Sequence, residues 1–442
     1  MSLYDAMMIG VAGLDANSRA LSISSSNIAN VNTVGYKTSQ SAFSTMLAAA
    51  GGPNAASGAG VMAAAQQNIV QQGLIFSTSS PTDLAISGNG FFCVNTAADK
   101  SGQALYTRAG SFTPDAQGNL RNATGLYLMG WPLVGGQAAD VNPGALQAVN
   151  LSGLSGKGEP TTKMSLVQNL QASAEAQTYT LGDMAAGNVT PQFSRTINIY
   201  DTQGGSRPLK IDYVKTDANK WSYEISYAGD INDLDLSGTG LPSPLIGAGE
   251  IDFNSDGSLA DVIPQGGSGG SGSFDLNIPW NPATSGLQPQ DVTVDLGTIG
   301  KTDGTTQFDT DSVLTAKNVD GAVFGNVTGV TIDSSGIVYA NYSNGLSEAA
   351  FEIPLATFAN PDGLSQVSGN AFAQTSASGD VMINPADSGG AGTIASYALE
   401  GSTSDLATEF TNMITTQRAY SASAHVVTTA SQMMDELIQM AR

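Results

Sequence analysis

One cysteine, Cys93, and one histidine, His425, in 442 residues rule out an intramolecular disulfide. They also leave a Cys/His zinc site or a Ser-His-Asp triad poorly supplied. Basic residues are scarce as well: 16 Lys and Arg stand against 38 Asp and Glu, a net charge of −22. Nucleic acids and anionic membrane surfaces are bound largely through Lys and Arg, so neither is an expected partner. No run of about 18 apolar residues is present to span a membrane. The N-terminus has no basic region before its apolar stretch, which Asp5, Asp15 and Arg19 interrupt. A cleaved secretory signal is therefore not expected. No catalytic, metal-binding or cofactor-binding residues are expected, and the composition disfavours an ordinary hydrolase or metalloenzyme.

What is present is glycine, 52 residues, with hydrophobics at 41%, which is too apolar for disorder throughout. At about 150 residues per domain the length implies roughly three domains. Near the N-terminus Met7, Val11, Leu14, Ser18, Leu21, Ser25 and Ile28 alternate at spacings of four and three, the seam of a heptad helix. Gly35 is placed to end it as a C-cap. Near the C-terminus Leu406, Phe410, Met413, Gln417, Tyr420, Ala424, Val427, Ser431, Met434 and Ile438 repeat the alternation. Ser402 or Ser404 is the expected N-cap, with Asp405 and Glu409 in the first turns. Polar seam positions, together with Gly10 and Gly13, make each helix weak alone, and nothing between residues 40 and 400 reads as a helical partner. These terminal segments are expected to order on assembly.

Between the ends the chain reads as strand and turn. Residues 48–60 form a small-residue linker. Asn89-Gly90 is a hairpin signal between Leu84–Ile86 and Phe91–Val94. Asp/Asn-x-x-Gly tetrads recur at Asp115–Gly118, Asp201–Gly204, Asn254–Gly257 and Asp333–Gly336. In the clearest meander Leu209, Ile211 and Tyr213, then Trp221, Tyr223, Ile225 and Tyr227, alternate with polar residues, giving one buried and one wet face. Residues 201–340 carry 19 acidic and 6 basic groups, read as a solvated outer face. GGSGGSGS at 266–273 is a flexible loop. Asp252–Gly257 begins like a calcium loop, but Ile263 stands where the bidentate Glu belongs, so a hairpin turn is expected. Cys93 reads as a small buried hydrophobe and His425 as a helix-flank residue. The fold class is mainly β with α-helical coiled-coil termini.

SSSNIANVNTVGYKTSQSAF (24–43) resembles the N-terminal signature of the bacterial flagellar rod and hook protein family, carried by Asn27, Ala29, Asn30, Asn32, Thr33, Gly35, Tyr36 and Lys37. EFTNMITTQRAYSASAHVVTTASQMMDELIQM (409–440) is similar to the family's other end. LAISGNGFFCV (84–94) and YTRAGSFTPDAQGNLRNATGLYLMGWP (106–132) resemble its shared β domain. The long central insertion, with GIVYANYSNG (336–345), is similar to the hook members rather than the shorter rod members. The resemblance implies a structural subunit of a tubular homopolymer, a flexible joint carrying motor torque from rod to filament. Its location would be the hook region of the flagellum, outside the cell, reached by type III export without a cleaved signal. The implied partners are further copies of itself, the distal rod protein, the hook cap protein, the hook-filament junction protein and the export apparatus. The implied domains are 1–35 with 403–442 as an inner coiled coil, 36–72 as a connection, 73–160 with 310–402 as a discontinuous β domain, and 161–309 as an inserted outer β domain. The assembly seam would use Met7, Val11, Leu14, Leu21 and Ile28 of one helix. From the other it would use Leu406, Phe410, Met413, Tyr420, Val427, Met434 and Ile438. The alternatives are a distal rod protein, opposed by length, and a secreted calcium-binding adhesin, for which no complete calcium loop is visible.

Overall fold

The computed structural model describes residues 3–49, 56–138, 141–154, 156–267 and 269–440. The fold is mainly β, with one long helix at each end: α1 (Leu3–Ala29) and α2 (Leu406–Met440). The chain divides into two compact units. One is drawn from residues up to 154, 329–341 and 347 onward, the other from 155–328 and 342–346. The second unit is wider than the 161–309 read from sequence. Strand Val313–Val319 runs antiparallel along Lys163–Asn169, and Lys157–Glu159 pairs with Ala322–Gly325, so both flanks are sewn in by backbone hydrogen bonds.

In the first unit α1 and α2 lie antiparallel. Gly10 faces Ser423 and Val427, and Asn27 reaches Glu409. The residues α1 buries are Gly10, Gly13, Ala16, Ala20, Ser24 and Asn27. This is a stripe of small residues beside the bulky seam expected from the heptads, because removing side chains lets two helix backbones approach. The other partner of α1 is a hairpin, β1 (Ser39–Ala49) and β2 (Ala56–Gln67), paired from Ser39↔Gln67 to Ala49↔Ala56. It occupies much of the segment read as a connection, and most of the linker read at 48–60 is strand; residues 50–55 lie outside those described. A Cβ on Gly60 would fall 2.7 Å from the Ala12 Cβ. Both helices therefore have partners within the chain, contrary to the expectation that they find them only on assembly.

The N-cap of α2 is Asp405, not Ser402 or Ser404: its Oδ1 accepts the Thr408 N–H at 2.8 Å. That hydrogen bond to the charged form holds its carboxyl below the usual range. Ser402 instead caps the turn before it, accepting from the Ser404 N–H.

The β body of the first unit has a sheet running through Val327–Ile332, Ile337–Tyr342, Ser347–Glu352, Tyr127–Val134, Phe91–Asn95, Ala104–Thr107, Ala371–Ala373 and Ser365–Val367. Its cores gather Phe92, Phe112, Leu128, Val338 and Leu355 on one side and Phe91, Tyr106, Trp131, Phe358 and Phe372 on the other. Leu84–Ser87 does not form the expected hairpin with Phe91–Asn95; it pairs with Thr393–Ser396. Gly88 and Gly90, with φ of +100° and +125°, turn the chain out of one pairing into another. Cys93 is buried in that sheet, and burial pushes its thiol up to about 12.

In the second unit the strands Phe193–Tyr200, Ser206–Asp217, Lys220–Tyr227, Leu245–Phe253 and Leu259–Pro264 form an antiparallel meander. It encloses a core with the sheet built on Lys163–Asn169. The alternation read from sequence places Leu209, Ile211, Tyr213, Trp221, Tyr223 and Ile225 in this core. The opposite face, expected to be wet, is covered by residues 171–192. The buried Glu224 carboxylate holds them, accepting the Tyr179 hydroxyl at 2.8 Å and the Gly182 and Ala185 N–H groups at 2.7 Å each. Each tetrad forms a turn in which the glycine N–H returns to the first residue's carbonyl, with φ between +76° and +84°. The calcium-like segment is one of these turns. Asp256 accepts from the Ser258 N–H and hydroxyl, and Lys220 reaches Asp252 at 3.3 Å.

Candidate functional site

The N-terminal signature lies where α1, the start of α2 and the β body of the first unit meet. Backbone approach sets the geometry. Gly35 stands six residues past the end of α1, so it is not that helix's C-cap. Its φ is +68°, and a Cβ there would lie 2.6 Å from the Ala109 N and 2.7 Å from the Arg108 carbonyl carbon. Both the left-handed backbone and the contact require glycine. Its N–H donates to the Glu400 carbonyl at 2.8 Å, and the Thr403 N–H donates to the Tyr36 carbonyl at 3.1 Å. The two chain ends are thus zipped together just before α2 begins.

A buried ionic cluster fills the junction. Glu400 Oε1 accepts from Lys37 Nζ at 2.5 Å and from the Gly73 N–H at 2.8 Å, and Oε2 faces Arg108 Nη1 at 3.3 Å. Lys37 also donates to the Gln71 carbonyl, and Arg108 to the Gly88 carbonyl at 2.8 Å. The guanidinium lies 5.3 Å from the centre of the Phe91 ring. All three charged side chains are at most 3% exposed. Burial drives Lys37 and Arg108 below their ordinary values, and the Glu400 charge opposes that drop. Two cations face one carboxylate in this dry site; one backbone carbonyl takes a further donor from each cation, and Arg108 Nε has no hydrogen-bond partner among the described residues.

Asn27, in the last turn of α1, ties three elements. Its Nδ2 donates to Glu409 Oε1 and to the Ser39 carbonyl, both at 2.8 Å, and its Oδ1 accepts from the Tyr36 hydroxyl and the Ser39 N–H. Asn30 and Thr33 close the turn after α1, Asn30 bonding the Ser26 carbonyl and Thr33 bonding Asn30. Ala29 and Asn32 are exposed. The expected seam residues are brought together only in part. Val427 packs on Gly10, and Met413 and Met434 are half-buried on the same side of α2. Met7, Leu14, Leu21 and Ile28 are half-buried. Val11, Leu406, Phe410, Tyr420 and Ile438 are exposed. His425 is exposed beside Leu3 and Ala6. Sequence reading singled out neither Glu400 nor Arg108, and it gave Glu409 only a place in the first turns of α2. A lone acid in the apolar run YALEG is the one signal that pointed to Glu400.

Residues 7–37 match the flagella basal body rod protein family, and 85–180 match the D1 domain of the flagellar hook protein FlgE/F/G. Residues 169–322 match the flagellar basal body protein FlaE D2 domain, and 395–440 the C-terminal region of flagellar basal body rod FlgEFG proteins. The flagellar hook protein FlgE of Rhizobium meliloti is 37% identical over 451 residues, covering all of both chains. This chain belongs to the flagellar hook protein family. The hook protein FlgE of Caulobacter vibrioides is 30% identical, again over the whole of both chains. The crystal structure of Helicobacter pylori flagellar hook protein FlgE2 is similar to 72% of this chain and 98% of its own, with 14% identity and a TM-score of 0.45. The family is structural, and its members are located in the flagellar hook. In this hook-family chain the ionic junction takes one charged residue from each of three matched segments: Lys37, Arg108 and Glu400.

Proposed function

We propose that this hook subunit polymerises through its paired terminal helices into a tube that joins rod to filament and carries torque around a bend. The observation that carries the reading is the outer surface of the helix pair. Although both helices are docked within the chain, Met8, Val11, Phe410, Ile414, Leu437 and Ile438 remain 47–62% exposed. Apolar surface of that extent, along helices of about 40 and 52 Å at 1.5 Å per residue, is what neighbouring copies would cover. The assembly seam proposed here is therefore the outward face of the pair, with Gly10, Gly13, Ala16 and Ala20 closing each subunit internally. The second unit, with its acidic surface, supplies polar contacts that slide as a bent tube turns. The subunit acts without catalytic turnover and leaves the cell through the flagellar export apparatus with no cleaved signal. Its ends meet the distal rod protein, the hook cap and the hook-filament junction protein.

Phe410→Asp tests the reading on purified chain. Covering one large apolar side chain is worth about 1.5–3 kcal/mol per subunit. A half-exposed position contributes little to the monomer, about 0.5 kcal/mol or less. Wild-type chain should form hollow tubes under the electron microscope, whereas Phe410→Asp should stay monomeric with its melting midpoint moved by no more than about 2 °C. Tubes of normal length from the variant would place the assembly surface elsewhere.

A further inference from the structure

Glu409 lines a cleft of about 430 Å³ with Ile23, Ser39, Gln40, Phe43, Asn412 and Thr415. Its side chain is more than nine-tenths buried, yet only Oε1 is engaged, by Asn27; Oε2 has no hydrogen-bond partner among the described residues. The lining favours a donor-rich cation. The Thr415 hydroxyl already gives its proton to the Thr411 carbonyl at 2.9 Å, so its oxygen is left to accept. Phe43, half-exposed at the rim, offers a ring face to a guanidinium.

The described parts of the two helices hold two cations. Arg19 is bound to Asp15 at 3.1 Å. Arg418 is exposed and has neither ion pair nor hydrogen bond among the described residues. It follows Glu409 by nine residues on the same helix, a rise of about 13.5 Å and a rotation of about 180°. The two charges cannot meet within one chain and lie on opposite sides of α2. A donor on one side and an acceptor on the other is what a head-to-tail repeating contact requires.

We propose that Arg418 of one copy seats in the Glu409 cleft of the next, forming a repeated ion pair in the inner wall of the polymer. This rests on the self-assembly reading above. The test follows assembly of the purified full-length chain by sedimentation and light scattering across concentration. Arg418→Glu should raise the concentration needed for assembly at least about tenfold, while Arg418→Lys and Arg19→Glu stay close to wild type. Glu409→Gln, which can still accept from Asn27, should weaken assembly severalfold. Glu409→Gln combined with Arg418→Gln should be no worse than Arg418→Gln alone, as coupled partners require. Circular dichroism should show unchanged helix content in each variant. Wild-type assembly by Arg418→Glu, or additive effects in the double variant, would overturn the pairing and leave the self-assembly reading standing. Failure of the wild-type chain to assemble would overturn both.

Discussion

Glu400→Ala should lower the unfolding midpoint of the first unit by roughly 6–20 °C. The carboxylate is fully buried and is the counter-charge for both Lys37 and Arg108. Removing one partner of a buried ionic group leaves uncompensated charge in a dry site and typically costs about 3–5 kcal/mol. At about 2–4 °C per kcal/mol for a unit of this size, that gives the stated range. The loss is not one of attraction alone, so a second substitution separates the causes. Lys37→Met in the Glu400→Ala background removes one orphaned cation and should recover part of the midpoint. Calorimetry reads the shift, and hydrogen exchange should lose protection around residues 35–40, 71–75 and 398–403 while 193–264 is unchanged. An unaltered midpoint would mean that the cluster does not hold the junction.

Gly10→Val should abolish assembly by prising the helices apart. A Cβ at residue 10 would sit 2.7 Å from Val427 Cγ2 and 3.5 Å from the Ser423 carbonyl oxygen. Val427 is β-branched and stiff, so it cannot swing clear. Replacing a helical glycine gains a few tenths of a kcal/mol in propensity, about 0.3–0.5 for valine, while overpacking costs about 1–3 kcal/mol. Overpacking wins. Val427→Ala in the same chain should restore both the pairing and the tubes. Limited proteolysis of the termini and electron microscopy read the two effects; resistant termini with normal tubes in Gly10→Val would show that the small-residue stripe is not a contact.

That stripe also shows where sequence reading stops. Counting apolar residues finds a helix and its period, and it found both terminal helices, although it carried the first one to Gly35, six residues past its end at Ala29. It cannot see that Gly10, Gly13, Ala16 and Ala20 form the packed side, because their contribution is the absence of side chain. The bulky seam it chose instead lies one position round, half-buried or exposed. The hairpin formed by β1 and β2 was missed for the same reason, its strands being built largely from Ala, Ser, Gly and Met. Alternation was legible in the meander, where Leu209 to Ile225 point into one core, but the cover over the opposite face was not. It depends on Glu224 meeting a loop some 40 residues away in sequence. Lys37, Arg108 and Glu400 were likewise unreadable as a set, since pairing across more than 360 residues leaves no local trace. The glycine tetrads were readable because the turn and its hydrogen bonds are local.

The most direct test of the hook assignment is electron microscopy of basal bodies from a strain lacking this chain. Completed rods ending without a hook or filament are predicted, and plasmid-borne wild-type chain should restore curved hooks. Hooks of normal length in the deletion strain, or rods that stop short, would contradict it.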